Sequence, residues 1–240
     1  EMTMGDWSSD VCSSDLILGF SVAGIISGVL LVAIFNRIPP SWLTEYGQTP
    51  SEEVRSRERL KWIPYAPVLA IGFGLVYAKL AYFDIYYALP AMITIWLLVF
   101  IAIGDFKYMI VVDEAVILLL ASCIGFYGQH EGIANIFYGA LTGGGFLLLI
   151  FVIGRLITKT ETLGFGDVKV AAALGAVLGF DGIVVVLVSA FLMAGVFAAC
   201  VLIKNKNAKE SYIPLVPFIS LAGVIYMVAF WGEIVIKDLL

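Results

Sequence analysis

Four acidic residues stand where an apolar chain has least reason to keep them: Asp105, Asp113, Glu114 and Asp167. Ionisable side chains in such a setting are costly and are functional candidates by default. Asp105 directly follows a long apolar run in IAIGDFKYMIVVDEAV, at the expected carboxyl end of a helix, where the dipole disfavours an anion. Asp167 stands in LGFGDVKVAAALGAVLGF, just after Gly164 and Gly166 and at the expected start of a helix. Asp113 precedes an apolar run, so an ordinary N-cap is its simplest reading. Capping would also account for Asp167 taken alone. Paired with Asp105, however, it suggests more. Two carboxylates a few ångströms apart in a low dielectric share one proton, so one serves as base and the other as acid. The ionised partner takes a proton from water, which attacks a peptide carbonyl, and the protonated partner donates to the carbonyl oxygen and then helps the amine leave. That is aspartyl protease chemistry. Other hydrolytic chemistries lack their groups. The single histidine, His130, falls in a loop expected away from both aspartates, and Cys123 and Cys200 are expected to be packing residues, so neither a Ser-His or Cys-His site nor a metal site is expected.

The elements that must position these acids belong in a bilayer. The 240 residues are 61% hydrophobic and 14% charged, with a mean hydropathy of +1.01, too apolar for a soluble globular domain. Eight apolar segments, at about 17–36, 65–83, 86–104, 114–129, 133–157, 168–180, 182–203 and 213–236, predict an all-α polytopic bundle of about eight transmembrane helices. Runs such as Ile183 to Val188 do not alternate as barrel strands would. Gly143, Gly144, Gly145, Gly175 and Gly179 are suited to close helix contacts. The 168–180 segment, about 20 Å long as a helix, falls short of a core of roughly 30 Å. The GFGD loop before it is therefore expected to dip into the membrane, where irregular backbone must be enclosed by protein or line a wet cavity.

Charge placement sets the expected orientation. Of the 14 Lys and Arg residues, all but Lys79 and Lys237 fall in loops after the first, third, fifth and seventh segments. Those loops should be cytoplasmic, with both termini outside. The net charge of −5, without a basic stripe, argues against nucleic acid. The three cysteines form no CxxC pair. The loop 37–64 carries mixed charge and four prolines and is too short for a sizeable core of its own. Glu1 to Leu16 is set apart: WSSDVCSSDL, Trp7 to Leu16, matches the translation of a common sequencing adapter residue for residue. It is read as an artefact, leaving 17–240 as a single transmembrane domain.

The stretch from Gly164 to Phe180, GFGDVKVAAALGAVLGF, resembles the GxGDxKLLAALGAxLG signature of the type IV prepilin peptidases, GxGD-type intramembrane aspartyl proteases. Asp105 and Asp113 reproduce the family's two aspartates eight residues apart, with Val112 in place of the usual proline. VAIFNRIP, Val32 to Pro39, is similar to NVVIYRLP, and YIPLVPFISLAG, Tyr212 to Gly223, is similar to IPFGPFLALG. By this resemblance Asp105 and Asp167 are the catalytic pair, Asp113, Gly164 and Gly166 are accessory, and Lys169 lies beside the site. The implied substrate is a prepilin or pseudopilin precursor, and the implied location is a prokaryotic cytoplasmic membrane with the aspartates near its cytoplasmic face. Proteolysis implies no cofactor. Many members also hold zinc on a cysteine tetrad in the first cytoplasmic loop and methylate the new N-terminus with S-adenosylmethionine. Here 37–64 contains no cysteine to hold that zinc, so the resemblance carries over the peptidase activity and leaves methyl transfer with S-adenosylmethionine open. From the residues alone, a proton- or ion-coupled transporter is the alternative, since broken helices with intramembrane carboxylates also describe transporters. A catalytically silent scaffold is the third reading. Oligomeric state is not legible.

Overall fold

Apolar runs in a bilayer become helices because every backbone N–H and C=O must be satisfied within its own segment. The computed structural model describes residues 14–44, 49–56, 58–130, 132–158, 164–204 and 214–231, and among these it is helical without strands. The α-helices are α1 (Ser14–Arg37), α2 (Glu52–Arg55), α3 (Trp62–Leu80), α4 (Ile85–Tyr108), α5 (Asp113–Ser122), α6 (Ile133–Thr158), α7 (Phe165–Lys204) and α8 (Val216–Ile225). Short 3-10 turns follow Pro39 and Ser122, and a π turn, Tyr226–Phe230, extends α8.

Five of these helices, α1, α3, α4, α6 and α7, are long and apolar enough to cross a membrane. The expected count of about eight is not confirmed among the described residues. Segment 114–129 divides into the ten-residue α5 and a 3-10 turn, and segment 213–236 yields the ten-residue α8 with its π turn. Segments 168–180 and 182–203 join into the continuous α7, interrupted only at Gly179 (φ 71°, ψ −175°). That left-handed φ is the one a glycine adopts without steric cost. The helical stretch before it, 165–178, is about 21 Å long, so the expected short helix is present but ends at a kink. The Phe180 N–H, freed there from the helical ladder, donates to Asn135 Oδ1 at 3.0 Å.

The chain divides into two compact units, Glu1–Trp96 and Leu97–Leu240, with the boundary inside α4. In the first, α1 packs against α3: a Cβ on Gly24 would strike the Phe73 carbonyl, and one on Gly28 would lie 2.5 Å from Ala70 N. Tyr77 Oη donates to the Met92 carbonyl at 2.7 Å and Trp96 Nε1 to the Ser27 carbonyl at 3.1 Å, tying α3 and α1 to α4. In the second, α6 and α7 run antiparallel along a glycine seam. Gly139 faces Gly175, and Gly143 faces Ala171, each so closely that a Cβ would meet the partner's carbonyl oxygen. Such contacts between small residues let dispersion act across the full helix length where lipid removes the hydrophobic drive. Gly143, Gly144 and Gly175 serve as expected, whereas Gly145 lies outside the seam. Gly223 of α8 packs on Leu174 and Leu98, bringing α8, the first stretch of α7 and the end of α4 together.

The expected artefact, Glu1 to Leu16, lies mostly outside the described residues. Ser14, Asp15 and Leu16 form the first turn of α1, which therefore starts ahead of Ile17.

Candidate active site

The end of α4 supplies Asp105 and the start of α7 supplies Asp167. The two are 6% and 3% exposed, and no other carboxylate among the described residues is buried. They lie close enough for their charges to act on each other, and both engage one backbone N–H, that of Val216 at the start of α8. Asp167 is the third residue of α7, and its Oδ2 accepts from the Gly164 N–H at 3.0 Å. It thus reaches back to the residue ahead of the helix, as the acidic member of a capping box does. Asp105 is held differently. Its Oδ2 is buried and has no hydrogen-bond partner among the described residues. Buried polar atoms are nearly always satisfied, and one that is not calls for a reason such as a catalytic role.

Local backbone explains the placement. Asp105 lies one turn from the end of α4, and its carbonyl accepts from the Met109 N–H at 2.9 Å. Met109 has φ 54°, a conformation that costs a residue with a Cβ about 1–2 kcal/mol. This strained reversal directs residues 110–112 toward α7, where a Cβ on Gly166 would lie 2.6 Å from Val111 Cγ2. Gly166 is therefore an allowance for close packing beside Asp167. The loop residues 159–163, on which the expected dip into the membrane also depends, lie outside the described residues.

Asp113 does not cap α5 as the sequence suggested. Val112 occupies the N-cap without a side-chain bond, and Asp113 is the first helical residue. Its carboxylate is instead held by Lys169, whose Nζ donates to Oδ1 at 2.7 Å and Oδ2 at 3.0 Å. A salt bridge outweighs capping here because α7 presents a cation two residues after Asp167. Lys169 also lies over the Phe165 ring, 5.5 Å from its centroid. Glu114 is half-buried in the first turn of α5.

Sequence reasoning gave no role to Val216. A backbone amide leaves no side-chain signature, and the only signal was Pro217, a residue favoured in a helix's first turn. His130 Nε2 lies 3.0 Å from the Val177 carbonyl, ten residues and roughly 15 Å along α7 from Asp167, away from both aspartates as expected. Burial pushes its imidazole below the usual pKa. Cys123 is half-buried, but Cys200 is exposed on α7, contrary to the expectation that both are core residues. A helix whose outer face meets lipid can expose an apolar thiol without cost. Among the described residues no group of three or more His, Cys, Asp or Glu could hold a metal ion.

Residues 92–199, which carry Asp105, Asp113, Asp167 and Lys169, match the model of the type IV leader peptidase family. The likeness to that family covers just under half of the chain. Among relatives, a prepilin leader peptidase/N-methyltransferase of Aeromonas salmonicida (strain A449) is 29% identical over 147 residues, covering 60% of this chain and 50% of the relative. One from Stutzerimonas stutzeri is 24% identical over 80% of this chain and 65% of its own length. The leader peptidase HopD of Salmonella typhimurium is 35% identical over 96 residues, 40% of this chain and 62% of that protein. The chain thus spans about half the length of the Aeromonas relative. No solved structure matches it. Five of the described helices are long and apolar enough to cross a membrane, which fits a multi-pass membrane protein.

Proposed function

We propose that this protein is an intramembrane aspartyl endopeptidase that removes the leader from type IV prepilins or pilin-like precursors, with Asp105 and Asp167 as its catalytic pair. The observation that carries the reading is the burial of these two acids side by side, one with an oxygen unpartnered among the described residues. In the proposed reaction the pair holds one proton between them. The ionised carboxylate takes a proton from water as the water oxygen bonds to the scissile carbonyl carbon. The protonated partner gives its proton to the carbonyl oxygen. Collapse of the tetrahedral intermediate breaks the C–N bond, as the leaving amine takes a proton from one carboxyl group and a hydroxyl of the intermediate returns one to the other, restoring the shared proton. No covalent enzyme intermediate is needed.

The Val216 N–H and the Gly164 N–H fix the carboxylates before substrate arrives, so little ordering remains at the transition state. Asp113 and Lys169 act as positioning residues, holding the start of α5 against the first turn of α7. The substrate, itself an apolar helix with a basic leader, would approach laterally from the bilayer. Zinc enters no step. The loop 37–64 has no cysteine to hold it, and S-adenosylmethionine is likewise not assigned a role in cleavage.

The test is to incubate the purified full chain in detergent with a type IV prepilin and read the product by mass. Loss of the leader at a single bond is expected. An intact prepilin, together with proton uptake by proteoliposomes containing the chain, would favour the transporter instead.

A further inference from the structure

The first unit holds a second polar site, independent of the peptidase reading. A cavity of about 570 Å³ opens where α1 ends and α3 begins, lined by Asn36, Arg37, Pro40, Arg55, Arg59 and Trp62 among others, with no acidic side chain among the described residues of its wall. Arg59 lies beneath, 3% exposed, and is fixed by backbone carbonyls: Nε donates to Val54 at 2.6 Å and Nη1 to Ile38 at 2.6 Å and Phe35 at 3.3 Å. Asn36 braces the opposite wall by pairing both ways with Leu60, its Nδ2 donating to the carbonyl at 2.9 Å and its Oδ1 accepting from the N–H at 2.7 Å. The cavity is thus built, with a fixed buried cation. Arg37 and Arg55 are exposed at its rim, and neither forms a salt bridge among the described residues.

Its position identifies what carries the complementary charge. α1 and α3 are both of spanning length, so their junction lies at a membrane surface. Leu30 stands two turns before Arg37 on the same helical face, Ile26 one turn earlier, and both are exposed, as are Trp62 and Ile63 on α3. Trp62 at a helix end fits the headgroup level, where aromatic residues gather. An arginine-lined cavity joined to an exposed apolar track matches a molecule with a phosphodiester head and acyl tails. Bidentate guanidinium contacts suit the phosphate oxygens. We infer that this cavity is a binding site for the phosphate headgroup of an anionic phospholipid, with Arg37 and Arg55 as its ligands, Arg59 as the fixed charge beneath and the Ile26–Leu30 face as the track for an acyl chain.

The test uses the delipidated full chain in neutral detergent, with binding read by native mass spectrometry. The probes are dioctanoyl phosphatidylglycerol, dioctanoyl phosphatidylcholine, inorganic phosphate and an acidic peptide. Phosphatidylglycerol should bind in preference to phosphatidylcholine. Arg37→Gln with Arg55→Gln should weaken that binding about 30-fold, at about one kcal/mol for each arginine. Both side chains are exposed, so the variant should keep its size-exclusion profile. Lys79→Gln with Lys204→Gln removes the same charge elsewhere and should leave binding unchanged. Equal binding of the two lipids, undiminished phosphatidylglycerol binding by the arginine variant, or equal weakening by the lysine variant would overturn the assignment. So would displacement of the lipid by inorganic phosphate or by the acidic peptide at equal concentration, which would make a free anion or an acidic protein segment the ligand.

Discussion

The first unit buries a cation and the second buries two carboxyl groups, and the two regions treat the charge in opposite ways. Arg59 has three backbone carbonyls around its guanidinium, so its desolvation is offset by charge-assisted hydrogen bonds. Asp105 and Asp167 share one N–H, hold one proton between them because both cannot ionise together, and leave one oxygen unmatched among the described residues. A satisfied buried charge serves the fold, whereas a pair of ionisable acids left partly unsatisfied is retained against stability and serves chemistry.

The largest expected effect on stability therefore lies at Arg59. Arg59→Met keeps the length of the side chain but strips three carbonyls of their donor, and should destabilise the chain by about 3 kcal/mol or more, read as a lowered Tm in detergent. An unchanged Tm would remove the contrast between the two regions. Asp105→Asn and Asp167→Asn should behave oppositely, holding or raising stability by about 1 kcal/mol because each takes an ionisable carboxyl out of a buried site whose charge is uncompensated. A large loss from either would make the acids part of the scaffold.

The distinction was partly legible before any coordinates. Asp105 and Asp167 stood out because each interrupts an apolar run, and the GFGD string located the start of α7. The short helix before Gly179 followed from length alone. What the sequence concealed had physical causes. Asp113 looked like a cap because local pattern cannot show that Lys169, 56 residues later, competes for its carboxylate. Eight segments were expected where five helices reach spanning length, since hydropathy registers apolar character but not whether a run folds as ten helical residues and a tight turn. Topology was preferred for the basic residues of 37–64 over attraction to lipid headgroups or an acidic substrate segment, because nothing in the spacing of Arg37, Arg55 and Arg59 places them around one space.

Smaller effects test the residues between these extremes. Asp113→Asn leaves Lys169 without its counterion, but both side chains are about one-third exposed, so stability should change by no more than about 1 kcal/mol. Cleavage should fall roughly tenfold through kcat, as expected for a residue that positions others. Asp113→Glu, which keeps the charge, should restore part of that loss. A complete loss in a folded Asp113→Asn protein would instead place Asp113 among the reacting groups. Smallest of all, a strong chelator should leave prepilin cleavage unchanged in the same assay. Inhibition reversed by added zinc would show that the chain holds a metal outside the groups identified here.

The central claim, that Asp105 and Asp167 act as one unit, is tested most directly by a cycle of three variants: Asp105→Asn, Asp167→Asn and both together, assayed for prepilin cleavage in the same purified preparation. Groups that share a proton lose function together, so each single variant should fall to background and the double should be no worse than either, with all three folded. A single variant that cleaves at the wild-type rate, or a double whose loss is the product of two partial ones, would contradict the dyad.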